Sequence, residues 1–175
     1  MNTPQIVLST LAVAAVLGAV GTYAFVTSGL YDVSATTPDT ALVYWVTHQT
    51  MEHAVARRLG ANTVPADLKA PQKIAEGGQM FLQTCAVCHG QPGVAPTAIA
   101  QGLNPAPPDL FRATRKPDEQ ENFQFIKHGI KMTGMPAFGP TRTDDQVWAL
   151  VAFLNVLPGI TPEAFATAVA GTAAP

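Results

Sequence analysis

The chain has 175 residues, of which 47% are hydrophobic and 13% charged, with a formal net charge of −2. That length supports one modest domain plus an additional segment. The near-neutral balance gives no reason to propose nucleic acid as a partner, and no internal repeat is evident.

Before Asp32 no side chain is charged, and Ile6 to Val26 is an almost continuous apolar run of 21 residues. At 1.5 Å per helical residue such a run is long enough to cross a hydrocarbon layer of about 30 Å. A cleaved signal peptide is the competing reading, with Thr22 and Ala24 as small residues for a cleavage site. The run is longer than a signal core of roughly 7–15 residues and has no basic n-region before it, which favours a retained transmembrane helix.

Residues 37–60 read as a second, amphipathic helix with Thr37 as cap, Pro38 in the first turn and Gly60 at the end. Tyr44, His48, Met51, Val55 and Leu59 form one stripe, which packs on the chain's own following domain or on a subunit of a larger membrane complex. Tyr44 and Trp45 suit a membrane–water interface. His48 and His53 point about 140° apart on a helix, which argues against a shared metal site. The linker 61–72 spans at most roughly 40 Å when extended, too short for a long flexible tether.

A third helix starts near Pro71, a residue suited to a first helical position, and carries Ile74, Phe81, Leu82 and Cys85 at helical spacing. It leads into Cys85-Ala86-Val87-Cys88-His89, which holds the only two cysteines. Two cysteines two residues apart, followed at once by histidine, are the attachment pattern for one covalently bound haem c. Each thiol adds to a vinyl group, and His89 stands beside the ring to bind the iron. A structural zinc site needs further ligands at set spacing, and His128 stands alone downstream. A thioredoxin-like pair needs a preceding strand, which is absent from this helical context.

The stretch Gly102 to Leu110 contains Pro105, Pro107 and Pro108 and is too proline-rich for a regular element. A helix follows Pro117, with Asp118, Glu119 and Glu121 near its positive end and Phe123, Ile126 and Ile130 on its buried side. Met135 then sits in the loop Gly134-Met135-Pro136-Ala137-Phe138-Gly139, where a thioether is rigidly presented as the second axial ligand. Met132, three residues earlier and without a following proline, is the runner-up. Thr143-Asp144-Asp145-Gln146 fits a capping box opening a last helix with Val147, Trp148, Leu150, Val151 and Leu154, stopped by Pro158-Gly159. The Ala/Thr-rich residues 161–175 read as a loose tail. Arg112, Arg115, Lys116, Lys127, Lys131 and Arg142, interspersed with acids, read as solvated surface ahead of a docking patch.

Residues from about 72 to 159 resemble a class I cytochrome c domain. The resemblance rests on Gly77-x-x-x-Phe81-x-x-x-Cys85-x-x-Cys88-His89, on Met135-Pro136, and on Leu150-Val151-Ala152-Phe153-Leu154. It implies that Gly77 and Phe81 cross Phe153, with Trp148 and Leu150 nearby. It also implies that the carbonyl of Pro105, Pro107 or Pro108 accepts the other N–H of His89 in the haem pocket. The run from His128 to Pro136 is similar to small bacterial cytochromes c held by one N-terminal helix. Haem c is attached on the outer side of energy-transducing membranes in that family, which implies a single-pass protein of the bacterial inner membrane with its haem domain in the periplasm.

The expected organisation is all-α. A transmembrane anchor (1–31) precedes an amphipathic helix and linker (32–71), a cytochrome c domain (72–160) and a tail. The expected function is single-electron transfer in a respiratory or photosynthetic chain, as a tethered carrier or as the cytochrome subunit of a membrane oxidoreductase, with redox proteins as partners. A haem sensor or peroxidase-like enzyme with a dissociable methionine is the alternative.

Overall fold

A computed structural model describes residues 2–171 and contains helices and loops, with no strand among the described residues. Helix α1 (Thr3–Ser28) opens with a capping box in which Asn2 and Gln5 exchange hydrogen bonds, and it ends on Gly29 in the left-handed region. It carries no charged residue, an 18-residue window of it has a mean hydropathy of 2.0, and it forms a unit of its own with residues up to Thr37.

The second unit holds the remaining helices: α2 (Ala41–Ala56), α3 (Pro71–Met80), α4 (Ala86–His89), α5 (Ala98–Gln101), α6 (Glu119–His128), α7 (Asp144–Leu154) and α8 (Pro162–Ala170). Helix α2 is shorter than the expected 37–60. Its cap is Thr40, whose hydroxyl accepts from Val43 N. The Thr37 hydroxyl is taken by Asp32, and a side chain so engaged does not cap. Helices α6 and α7 start where the local sequence directs them: Asp118 accepts from Glu121 N at 2.8 Å, and Thr143 and Gln146 form the reciprocal box of α7.

The core lies where α3 crosses α7. A Cβ on Gly77 would stand 1.9 Å from the Ala149 carbonyl oxygen, and one on Gly78 would meet the Phe153 ring at 2.8 Å. Two glycines inside a helix cost about 1 kcal/mol each relative to alanine. Here they let two backbones touch and seat Phe81 against Phe153, ring centres 5.3 Å apart. Helix α6 joins from the side through Phe123 stacked on Trp148 at 4.3 Å. Lys127 ties the same pair of helices, bonding to Asp144 and lying over the Phe123 ring. Buried Lys73 clamps the preceding linker to α7 through Asp67 at 3.2 Å and Asp145 at 2.5 Å.

The loose tail is corrected for residues 161–170. Thr161 caps α8, Pro162 takes its first position, and Phe165 is 5% exposed among Phe81, Phe111 and Phe153. One large aromatic side chain, worth a few kcal/mol on burial, is enough to fold this short segment onto α3. Residues 172–175 of the expected tail lie outside the described residues.

Candidate cofactor site

Between α3 and α4 the chain makes a wide π-helical turn, Phe81–Cys85, which Phe81 anchors in the core while Cys85 and Cys88 remain half-buried as free thiols. The Thr84 hydroxyl donates to the Met80 carbonyl at 2.8 Å and stands 3.5 Å from Cys85 Sγ. Burial pushes the Cys85 thiol up, against smaller opposing effects of Thr84 and Arg142. Gly90, at a φ of 77°, turns the chain away directly after His89.

His89 is fixed across the loop. Its Nδ1 lies 3.3 Å from the carbonyl oxygen of Pro108, whereas neither Pro105 nor Pro107 has such a contact. A carbonyl only accepts, so the proton sits on Nδ1 and the lone pair is left on Nε2. Burial, the largest influence, pulls the His89 pKa down. The Pro108 bond opposes that, and the charge of Arg115 adds to it. A neutral imidazole with a free Nε2 lone pair is the form that binds a metal, and a hydrogen bond on the other nitrogen orients it.

Arg115 was expected on the surface. Its Nη2 donates to Asn122 Oδ1 at 3.0 Å, but its Nη1 is buried without a hydrogen-bond partner, and burial lowers its pKa. No sequence signal distinguished it from the neighbouring Arg112 and Lys116. A half-buried guanidinium with an unsatisfied N–H, close enough to shift the imidazole, suits a ligand that carries an anionic group.

Met135 stands on the loop after α6, half-buried against the core, as does Phe138. Its carbonyl accepts from Ile130 N at 3.1 Å, and its N–H donates to Thr133 Oγ1 at 3.0 Å. Phe138 N and Gly139 N close the loop on the carbonyls of Ile126 and Lys127. Gly129 takes a φ of 63°, and a Cβ there would come within 2.6 Å of Pro136 and Ala137. Met132 differs: it is 82% exposed with a left-handed φ of 63°. The proline-rich loop reaches the methionine loop through Leu103, whose Cδ2 a Cβ on Gly134 would meet at 2.6 Å. Neither Leu103 nor Gly134 was singled out from the sequence for this contact, which joins segments thirty residues apart.

The donor set fits a haem c. Two unpaired thiols and a neutral histidine share one helical run, a thioether sits on a braced loop, and an unsatisfied guanidinium lies near the histidine. No group of three or more His, Cys, Asp and Glu suited to a bare metal ion occurs among the described residues.

Residues 72–154 match the sequence model of the family described as cytochrome C oxidase, cbb3-type, subunit III. No curated protein and no solved structure matches the chain significantly.

Proposed function

We propose that residues 72–154, which match a class I cytochrome c-like family, are a haem-carrying electron-transfer module and that the whole chain is a membrane-anchored monohaem cytochrome c. Cys85 and Cys88 hold the haem through thioethers, and His89 and Met135 ligate its iron. When bound, the haem supplies a one-electron couple, which methionine ligation raises in potential. The chain's own residues do the rest. Pro108 holds the His89 ring by its Nδ1–H, and Arg115 offers its unsatisfied N–H groups to a haem carboxylate. Phe81 and the α3–α7 crossing seat the attachment turn, and Leu103 closes the proline-rich loop on the methionine loop. The α1 helix is the anchor, with the haem domain on the periplasmic side of a bacterial inner membrane. The electrons pass to or from redox proteins of an oxidase-type complex.

The observation that carries this reading is the His89–Pro108 contact beside two free, half-buried thiols. A neutral, oriented imidazole on the same helical run as both thiols fits haem ligation; a disulfide has no use for it, and a zinc site would need a further ligand beside these three. The test is the haem itself. Protein expressed with a haem c maturation system is expected to give a pyridine haemochrome spectrum of the two-thioether type. Its oxidised form is expected to show the methionine–iron charge-transfer band in the far red. A non-covalent haem, extractable into acidic acetone, would sink the assignment of Cys85 and Cys88.

A further inference from the structure

Helix α2 has two different faces. Val55 is buried and Met51 half-buried on one of them, and the chain after α2 is pinned to α6: Gln124 Nε2 donates to the Arg58 carbonyl, and Gly60 N donates to Gln120. On the opposite side of the N-terminal half, Leu42, Trp45 and Val46 stand at positions i, i+3 and i+4. Leu42 is 68% and Trp45 61% exposed. A helix whose C-terminal end is covered by its own domain, while its N-terminal end offers tryptophan to solvent, needs a second partner for that end.

Two features identify what covers it. One is the chain length. Only residues 29–40 separate α1 from α2, at most about 40 Å when extended. That reach is shortened by a turn in which Asp32 accepts from Ser34 N and from the Thr37 hydroxyl. Leu30 and Val33, both strongly exposed, carry the apolar character of α1 into the connection. The other is composition. Leu42, Trp45 and Val46 are uncharged, and together they make an apolar patch with an amphipathic aromatic at its centre. That composition matches the headgroup boundary of a bilayer, where tryptophan concentrates.

We infer that the Leu42–Trp45–Val46 face of α2 lies in the headgroup region of the bilayer that α1 crosses, with lipid as its ligand. The inference rests on the anchor reading of α1. Helix α2 is then a strut: its apolar N-terminal face is set in the membrane surface, and the chain after its C-terminus is pinned to α6 of the haem domain. The strut holds that domain at a defined height over the membrane, where a flexible tether would let it roam.

The test uses the full-length holoprotein in phosphatidylcholine nanodiscs, made either with ordinary lipid or with lipid brominated close to the headgroup. Co-elution of haem absorbance with the discs reports the anchor. Time-resolved tryptophan emission reports the strut, because Trp148 is buried in the core and out of reach of bromine. Brominated lipid is expected to remove most of the Trp45 component, and Trp45→Phe is expected to abolish that loss with an unchanged haem spectrum. Emission indifferent to bromine but quenched by iodide would place the face in water and overturn the inference. Emission indifferent to both would place it under protein, with the same consequence. Failure to co-elute with discs would remove the anchor reading and the strut with it, an outcome distinct from the other two.

Discussion

The sharpest structural prediction concerns Gly77. An alanine there places its Cβ 1.9 Å from the Ala149 carbonyl oxygen, and that obstacle is backbone, which cannot rotate away. Restoring an ordinary contact of 3.4 Å requires α3 and α7 to separate by about 1.5 Å. Such a movement loosens the Phe81–Phe153 contact and everything seated on it. Overpacking of this kind costs about 3 kcal/mol, while alanine returns about 1 kcal/mol of helix propensity, leaving a net loss of about 2 kcal/mol. For a domain near 100 residues that loss lowers the melting temperature by about 10 °C. The assay is denaturant unfolding of the haem-loaded protein in detergent, followed by tryptophan emission and Soret circular dichroism. Gly18→Ala, with nothing near its Cβ, serves as the neutral control. A Gly77→Ala protein as stable as the parent would refute the close crossing of α3 and α7.

Met135→Ala is expected to abolish the far-red methionine–iron band and lower the potential, while Met132→Ala leaves both unchanged; the reverse outcome would exchange the two residues. Phe165→Ala is expected to cost about 3–4 kcal/mol in the same unfolding assay, because it empties a site enclosed by three aromatic rings. Lys73 has its pKa raised, chiefly by its bond to Asp145, so its contribution to stability is full below the ordinary lysine pKa of about 10.4 and fades as pH rises through the higher folded-state value. Stability measured from pH 9 upward should therefore fall more steeply in the parent than in Lys73→Met, and parallel profiles would show that the lysine is not coupled to its two aspartates. Thr143→Ala removes the α7 capping box and is expected to lower stability by about 1 kcal/mol without moving the haem spectrum.

Much of this architecture was legible in the sequence because it is set by contacts three or four residues apart. Asp118 and Thr143 announce α6 and α7 through side chains that bond their own third residue, and Pro71 marks the start of α3. The same local logic misled at Thr37, where a Thr-Pro pair resembles a helix start but the hydroxyl is taken by Asp32 five residues earlier. Helix α8 was hidden for another reason. Its sequence is Ala/Thr-rich with a single large apolar residue, and Phe165 acquires its role only from rings on the π-helical turn, α7 and the loop that carries Phe111. Likewise the proline-rich loop offered three equivalent carbonyls, and only the fold shows that the one facing His89 belongs to Pro108.

The two sides of the candidate site are held by different means. His89 and the two thiols are neighbours in sequence, so one helical run carries all three, and one bond to Pro108 sets the ring. Met135 is braced locally only by its own loop, through Thr133 and Ile130. Its loop is closed by backbone bonds to Ile126 and Lys127 at the end of α6, and Lys127 is in turn held by Asp144 at the start of α7. Any loosening of the α6–α7 contact therefore reaches the methionine while leaving the attachment turn intact. Local openings of a protein begin where backbone bonds are fewest and most exposed. On that ground the methionine loop, with its exposed Met132 and strained left-handed backbone, is the weaker half of the site. Stress that falls short of global unfolding should release the thioether first and leave the histidine in place.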